Sequence, residues 1–210
     1  MKQSILEELV ARYPALIQCR ADIEAAYRLL QKTYDRDGIL YLCGNGGSAA
    51  DAGHIVGELM KSFTIPRPIS DSASSELNDP ALARQLHGVL RAISLSGHLS
   101  LSTAFGNDVD ADYIFAQQIF GYGRPGDVLW ALSTSGNSPN ILHALKVAKA
   151  RGLATLGLTG EGGGEMKRLC QVCIRVPERE TYKVQELHLP VYHALCRMLE
   201  ENFFPQSGNL

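Results

Sequence analysis

Continuous apolar runs and amphipathic segments alternate along the chain, and small polar loops join them. Four largely apolar runs are typical of strands that are buried on both faces of a sheet; they span residues 39–43, 127–132, 153–158 and 172–176. The amphipathic segments carry apolar residues at helical spacing; they span residues 49–63, 139–151 and 184–204. Strands that alternate with helices predict an α/β fold, a doubly wound and mainly parallel sheet flanked by helices.

A further amphipathic segment precedes the first strand. It predicts an N-terminal helix over residues 4–34, which Pro14 bends or splits. Because no linker, repeat or low-complexity tract interrupts the chain, residues 1–210 are expected to form a single domain.

The middle of the chain has a mixed pattern. Residues 66–78 are polar and predict a loop, after which Asp79 and Pro80 predict the cap and the first residue of a helix. That helix is expected to carry an apolar face made of Leu82, Leu86, Val89, Leu90 and Ile93. Residues 92–96 then favour a short strand, and residues 113–122 favour another helix.

Composition and charge narrow the class of protein. Apolar residues make up 45% of the chain, which permits a sizeable core and excludes wholesale disorder. Lys and Arg total 20 against 22 Asp and Glu, so no broad basic field exists to bind nucleic acid or an anionic membrane.

Glu7 and Glu8 stand where a signal peptide needs its apolar centre, so no export signal is expected. The five cysteines are scattered and fit a reducing cytoplasm; Cys170 and Cys173 are expected to be structural.

Two predicted strands lead into small polar loops that suit a phosphate group. In open α/β sheets, ligands lie beyond the carboxyl ends of the strands, where small residues admit a ligand and helix N-termini bind anions. The first loop, residues 44–48, reads GNGGS. The second, which we name the serine loop (residues 133–138), carries the hydroxyl groups of Ser133, Thr134, Ser135 and Ser138. One such loop would be explained by ordinary capping; this density of hydroxyls favours a phosphate cradle.

Two pairs of possible metal ligands lie on predicted helices. His54 and Glu58 are four residues apart, so they share a helix face and could bind one metal ion, although an exposed contact has the same spacing. Gln185 and His193 lie on the last helix, where His188 is expected to be a partly buried polar residue.

Together these motifs resemble the sugar isomerase (SIS) domain family and, within it, the phosphoheptose isomerase branch. The resemblance keeps the family's order and covers most of the chain. It rests on CGNGGSAADAGHIVGEL (43–59), FGNDVDADYIFAQQI (105–119), GDVLWALSTSGNSPNILHAL (126–145), LTGEGGGEM (158–166) and VQELHLPVYHAL (184–195).

The resemblance implies a flavodoxin-like SIS sandwich that interconverts sedoheptulose 7-phosphate and D-glycero-D-manno-heptose 7-phosphate. It implies one zinc ion per site, held by His54, Glu58, Gln185 and His193. It places the sugar against Asn45, Gly46, Gly47, Glu58, Asn107, Asp108 and Gln185. It places the phosphate against Ser133, Thr134, Ser135 and Ser138.

The chemistry of such an isomerase agrees with the residue types. Ketose–aldose isomerisation needs a base that takes a proton beside a carbonyl and an acid that returns it through an enediol. Glu58 is a suitable base and His193 a suitable acid, and zinc either polarises the oxygens or organises the pocket. Two other hypotheses stay open: a non-catalytic SIS module that binds a replication-initiation type of partner or senses a phosphosugar, and an isomerase of another phosphosugar.

Two expectations concern assembly. Residues 64–91 form an inserted segment that is longer than its counterpart in the family, and it is predicted to cover the pocket or to add a subunit contact. The resemblance implies a homo-oligomer, in the form of a tetramer, and the cysteines place it in the cytoplasm. Eight residues of straight helix would separate Gln185 from His193 by ~12 Å, whereas zinc–ligand bonds are about 2 Å long, which favours sites shared between subunits.

Overall fold

The computed structural model describes residues 2–205, with side chains from Ser4 onward, and contains a five-stranded sheet. Its strands are β1 (Leu40–Cys43), β2 (Ala92–Ser94), β3 (Val128–Leu132), β4 (Ala154–Thr159) and β5 (Val172–Arg175). All neighbouring strands are parallel, in the order β2-β1-β3-β4-β5. The predicted α/β class is confirmed, and the strand order reverses between β1 and β3, where such sheets bind ligands.

The α-helices surround this sheet. They are α1 (Lys2–Arg12), α2 (Arg20–Tyr34), α3 (Gly47–Leu59), α4 (Asp71–Leu77), α5 (Pro80–Ala83), α6 (Leu99–Phe105), α7 (Ile114–Tyr122), α8 (Pro139–Ala150), α9 (Met166–Leu169) and α10 (Thr181–Phe203). The N-terminal helix splits at Pro14 as predicted, because a 3-10 helix (Pro14–Cys19) separates α1 from α2.

Side chains that alternate along the strands form a core on each face of the sheet. On one face Leu42 and Trp130 belong to a cluster with residues of α2, α3 and α10. On the other face Tyr41 and Leu129 belong to a cluster with residues of α7 and α8. Within residues 2–205, no helix has both the length and the apolar character needed to cross a membrane.

The inserted segment contains a helix where the sequence predicted a loop over residues 66–78. Helix α4 forms there, because the Ser70 hydroxyl accepts a hydrogen bond from the Ala73 N–H at 3.2 Å and caps it. Helix α5 begins as predicted, with Asp79 as its cap and Pro80 as its first residue, but it has only 4 residues.

The apolar face predicted after Pro80 does not form, because the chain leaves the helix and returns to the end of α3. The N–H of Gly88 donates to the Arg67 carbonyl at 2.7 Å, and the N–H of Leu90 donates to the Leu59 carbonyl at 3.0 Å. Leu90 is buried, whereas the other members of the predicted face are exposed: Leu82, Leu86, Val89 and Ile93. The strand predicted at residues 92–96 is present as β2.

A buried ion pair joins the inserted segment to α10. Arg67 Nε lies 2.6 Å from Glu200 Oε1, and the side chains of both residues are 0% exposed. The guanidinium also donates to the carbonyl oxygens of Glu58 at 2.9 Å and Leu59 at 2.8 Å. These carbonyls belong to the last turn of α3 and have no partner within the helix, which explains why α3 ends at Leu59 and not at the predicted residue 63.

Glu200 is held by hydrogen bonds as well as by charge. It accepts from the backbone N–H groups of Phe63 and Thr64, each at 2.8 Å, and from the Thr64 hydroxyl at 2.6 Å. Burial raises the pKa of Glu200, but these hydrogen bonds and the charge of Arg67 outweigh burial and leave the pKa below its ordinary value. The carboxylate therefore stabilises the fold above the ordinary glutamate range, and this stabilisation is lost as the pH falls through the lowered pKa.

Replacing Arg67 by Met should lower the free energy of unfolding by about 3–5 kcal/mol, because it leaves a carboxylate buried without its cation. The double variant Arg67→Met, Glu200→Leu should recover most of this loss, because no charge then remains buried. Urea denaturation at neutral pH measures both changes.

The matched control for this experiment is Arg20→Met. Arg20 pairs with Glu24 on the surface, where the two side chains are 30% and 39% exposed, and such pairs contribute about 0–1 kcal/mol. Equal losses for Arg67→Met and Arg20→Met would contradict the importance of the buried pair.

Candidate active site

A polar cluster lies where α3 packs against α10. His54 Nε2 is 3.1 Å from Glu58 Oε1 and 3.5 Å from His193 Nε2. The first contact follows from the four-residue spacing of His54 and Glu58 on one helix face. The other Glu58 oxygen, Oε2, lies 3.2 Å from Lys61 Nζ. Three of the four predicted metal ligands are therefore neighbours within one chain.

Two further side chains extend this cluster behind His54. His54 Nδ1 lies 3.0 Å from the hydroxyl of Tyr192, which donates to Asp51 Oδ1 at 3.2 Å. Tyr192 is 0% exposed, and burial raises the pKa of Asp51 while the Tyr192 hydrogen bond opposes that rise. Neither residue was predicted, although Asp51 lies three residues before His54 and Tyr192 lies beside His193 in the sequence.

Burial also controls the protonation of the histidines on α10. It lowers the pKa of His193; the charge of a protonated His54 lowers it further, and Glu58 acts in the opposite direction. Burial and the charge of His54 therefore favour the neutral imidazole form of His193. His188 is completely buried, not partly buried as predicted, and burial lowers its pKa to about 4.

Gln185 lies apart from this cluster, beside the first glycine loop. A Cβ atom at Gly47 would lie 2.5 Å from Gln185 Nε2, so glycine makes room for the amide. Gly47 begins α3 and His54 comes seven residues later, which is about 10 Å along the axis. Helix α10 runs unbroken through Pro190, so Gln185 and His193 remain at separate levels of one helix.

The loop after β1 presents Asn45 and Gly46 at the point where the strand order reverses. Gly46 caps α3 with a φ of 54°, in the left-handed region that favours glycine. The side chains of Asn45 and Asn140 exchange two amide hydrogen bonds of 2.9 Å each. This pair joins the first glycine loop to the start of α8.

The serine loop after β3 gathers the four predicted hydroxyl residues at the start of α8. The hydroxyls of Ser133 and Ser138 are 3.0 Å apart. Ser138 occupies the cap position, but its side chain makes no capping hydrogen bond. Ser135 Oγ accepts the N–H of Asn137 at 3.2 Å. Hydroxyl groups beside the N-terminus of a 12-residue helix suit an anion.

Cationic side chains that the motifs did not indicate lie close to this loop. Thr134 and Ser135 border a cavity of about 630 Å³. Its other lining includes the cations Lys167, Arg175 and Arg179 and the carboxylates Glu161 and Glu178, and Arg179 is paired with Glu161. The three cations lie on α9, on β5 and after β5, so no local pattern connects them with the serine loop. They outnumber the two carboxylates, which favours a negatively charged ligand at this end of the site.

The serine loop packs backbone to backbone against the glycine-rich turn after β4. Gly136 and Gly164 have φ angles of 66° and 50°. A Cβ atom on Gly136 would collide with the carbonyl group of Gly163, and one on Gly164 would collide with the carbonyl group of Gly136. The Met166 N–H also donates to the Gly136 carbonyl at 3.0 Å. The two turns therefore hold each other in place.

Asn107 and Asp108, which were predicted to touch the substrate, lie in a π-helical turn (Gly106–Asp110) after α6. Asn107 Nδ2 donates to Asp108 Oδ1 at 2.8 Å, and both residues are exposed. Among residues 2–205, no hydrogen bond joins this pair to the serine loop or to the His54 cluster.

The donor atoms of the cluster suit zinc in their chemical type. Imidazole nitrogens and a carboxylate oxygen are common zinc ligands, and those of His193, His54 and Glu58 follow one another at 3.5 and 3.1 Å. In the described part of the chain, no group of three or more His, Cys, Asp or Glu side chains is arranged to hold a metal ion. The three side chains therefore match zinc in the type of their donor atoms, and a further ligand is needed to complete a site.

Comparison with known proteins identifies the family. The SIS domain family matches residues 7–160. The phosphoheptose isomerase of Akkermansia muciniphila is 38% identical over 192 residues, 91% of each chain, and that of Rhodospirillum rubrum is 39% identical over 183 residues, 87% of each chain. The chain therefore belongs to the SIS domain family. Within that family its relatives are phosphoheptose isomerases, as the motifs predicted.

Solved structures lead to the same family. A phosphoheptose isomerase from Neisseria gonorrhoeae superimposes with a TM-score of 0.69 at 31% identity, covering 93% of this chain and 98% of that chain. One from Francisella tularensis has a TM-score of 0.73 at 27% identity, covering 95% of this chain and 96% of that chain. The SIS fold expected from the resemblance is confirmed.

Replacing Gly136 by Ala should lower the free energy of unfolding by about 1–3 kcal/mol, because it forces a Cβ into a left-handed residue and against the Gly163 carbonyl. Thermal and urea denaturation measure the change. Gly162→Ala is the control in the neighbouring turn, because a Cβ at Gly162 would meet no atom within 4 Å. A stable Gly136→Ala protein would show that the two turns are free to separate.

Proposed function

We propose that this protein is a phosphoheptose isomerase that interconverts sedoheptulose 7-phosphate and D-glycero-D-manno-heptose 7-phosphate. The observation that carries the proposal is the position of Glu58, a carboxylate only 12% exposed and in contact with His54. It lies on the helix that starts at the first glycine loop. The chain's 38% identity to a phosphoheptose isomerase over 91% of its length gives the reaction and the substrate.

The proposed chemistry divides the sugar phosphate between two ends of the site. The serine loop and the start of α8 bind the phosphate through hydroxyl groups and helix N–H groups. Asn45 and Gly46 line the sugar at the β1 loop. This anchoring holds the ketose carbonyl and the neighbouring hydroxyl-bearing carbon within reach of the cluster on α3.

Glu58 and His193 carry the proton transfers. Glu58 removes a proton from C1 of the ketose, and the electrons of the C–H bond form the enediol with C2. The same carboxylic acid returns the proton to C2, which gives the aldose. His193 is the acid: the ring nitrogen that is not a zinc ligand gives its proton to the C2 oxygen and takes back the proton of the C1 oxygen.

Zinc is part of this proposal, with His54, Glu58, Gln185 and His193 as its ligands. When bound, it would supply a Lewis acid that polarises the sugar oxygens. The approach of His54 Nε2 to Glu58 Oε1 at 3.1 Å and to His193 Nε2 at 3.5 Å supports three of these assignments.

The position of Gln185 supports a site shared between subunits, and we propose a homotetramer in the cytoplasm as the assembly. Within one chain its amide lies at Gly47, about 10 Å of helix away from His54. A second chain that brings its own Gln185 to the cluster would supply the missing ligand. Large apolar side chains are available for such contacts, among them Leu99 (74% exposed) and Phe120 (59% exposed).

Replacing Glu58 by Gln should reduce isomerisation by at least ~10²-fold, because the amide keeps the volume but cannot accept the proton. The assay incubates zinc-loaded protein with sedoheptulose 7-phosphate and follows the aldose by NMR. The surface variant Glu24→Gln is the control and should keep full activity. Near-normal turnover by Glu58→Gln would refute the assignment of the base, and no turnover by the unmodified protein would refute the substrate.

Mixing two inactive proteins tests the shared site. Gln185→Ala and His193→Ala chains, combined under conditions that exchange subunits, should regain activity, because some mixed sites then contain a full set of ligands. A mixture of His54→Ala with His193→Ala should stay inactive, because these two side chains meet within one chain. No recovery in the first mixture, with exchange verified by mass spectrometry, would place all ligands in a single chain.

A further inference from the structure

A buried hydrogen-bond chain lies behind the candidate metal ligand His54. The Tyr192 oxygen lies 3.0 Å from His54 Nδ1 and 3.2 Å from Asp51 Oδ1. The rings of His54 and Tyr192 meet edge to face, with centroids 5.5 Å apart and an interplanar angle of 76°. Helix α3 supplies Asp51 and His54, and α10 supplies Tyr192.

The single hydroxyl proton of Tyr192 determines which group donates and which accepts in each of these hydrogen bonds. A carboxylate only accepts hydrogen bonds, so the single hydroxyl proton of Tyr192 must point toward Asp51. The Tyr192 oxygen then accepts a hydrogen bond from His54, which requires a proton on Nδ1. A neutral imidazole that is protonated on Nδ1 has its lone pair on Nε2.

That lone pair points into the cluster. His54 Nε2 faces Glu58 Oε1 at 3.1 Å, and both atoms are then acceptors. Two acceptors at this separation are held together only by a cation or a proton between them. His193 Nε2, at 3.5 Å, faces the same position. The hydrogen-bond direction therefore prepares His54 to ligate through Nε2.

We propose that Asp51 and Tyr192 are positioning residues that hold His54 as the Nδ1–H tautomer, with Nε2 free to bind a metal ion. The proposal rests on the zinc site of the proposed function. Hydrogen bonds from the second ring nitrogen of a metal-bound histidine fix its tautomer and orientation, and their loss typically weakens metal binding by 10- to 100-fold.

Burial of Tyr192 and of Asp51 Oδ2 limits the groups with which each can form a hydrogen bond. Tyr192 is 0% exposed, so water does not compete for its hydroxyl. The second oxygen of Asp51, Oδ2, is buried and has no hydrogen-bond partner in the described part of the chain, so the bond from Tyr192 to Oδ1 is the side-chain hydrogen bond that holds this carboxylate. Asp51 in turn keeps the hydroxyl proton directed away from His54.

Zinc alone is the probe for the first test, so no sugar is needed. Tyr192→Phe should raise the Kd for zinc by about 10- to 100-fold, measured by competition with a chromophoric chelator. Tyr41→Phe is the matched control, because Tyr41 is also buried, lies on β1 and donates its hydroxyl to the Tyr122 carbonyl at 3.3 Å. An unchanged Kd in folded Tyr192→Phe protein would overturn the proposal.

A second test reads the tautomer directly in metal-free protein. Long-range ¹H–¹⁵N NMR should show a proton on His54 Nδ1 in the unmodified chain. Asp51→Ala should shift His54 toward the Nε2–H tautomer, because the hydroxyl proton of Tyr192 is then free to turn toward Nδ1. A bare Nδ1, with the only ring proton on Nε2, in the unmodified protein would refute the proposal. Absence of heptose turnover would instead refute the proposed substrate and leave both readouts intact.

Discussion

The contact between the Arg67 guanidinium and the Glu200 carboxylate holds three separate parts of the chain in register. It ends α3 one residue after Glu58, it anchors the inserted segment, and it sets the position of α10 relative to both. Removing two charges from water is costly, and the cost is offset here because each nitrogen of the guanidinium and each oxygen of the carboxylate has a hydrogen-bond partner. His54 and Glu58 lie within two turns of the end of α3 that Arg67 contacts, and His193 lies two turns from Glu200 on α10. Their mutual distances therefore depend on a contact that itself has no chemical role.

The two ends of the site differ in how they are built. At the serine loop, backbone groups and hydroxyls lie beyond the ends of buried parallel strands, so the sheet itself sets their geometry. At the cluster, long side chains from α3 and α10 meet, and their geometry depends on helix packing and on hydrogen bonds such as that from Tyr192 to Asp51. The first end is rigid because of the backbone, and the second is positioned by side chains that must be held individually.

Local pattern was enough to predict the sheet, most helices, the serine loop and the pairing of His54 with Glu58, because each depends on spacing within a short segment. Contacts between distant segments had no such signal. Arg67 and Glu200 are 133 positions apart, and Tyr192 and Asp51 are 141 positions apart.

Helix α4 was expected to be a loop because its serine-rich sequence suits turns as well as caps. The Ser70 cap and the surrounding fold stabilise the helix instead. The separation of Gln185 from His193 followed from helix geometry alone and is present in α10.

The glycine contact between the serine loop and the turn after β4 has a consequence for how such a protein can diversify. Gly136 and Gly164 leave no space for a side chain where the two backbones touch. Substitutions at these two positions are therefore not tolerated. New substrate preferences must then arise elsewhere, in regions whose changes leave this contact intact. The inserted segment is such a region, since α4 and α5 carry exposed side chains and are held at their base by Arg67. A lineage of this fold would keep the contact between the two turns unchanged while the inserted segment varies.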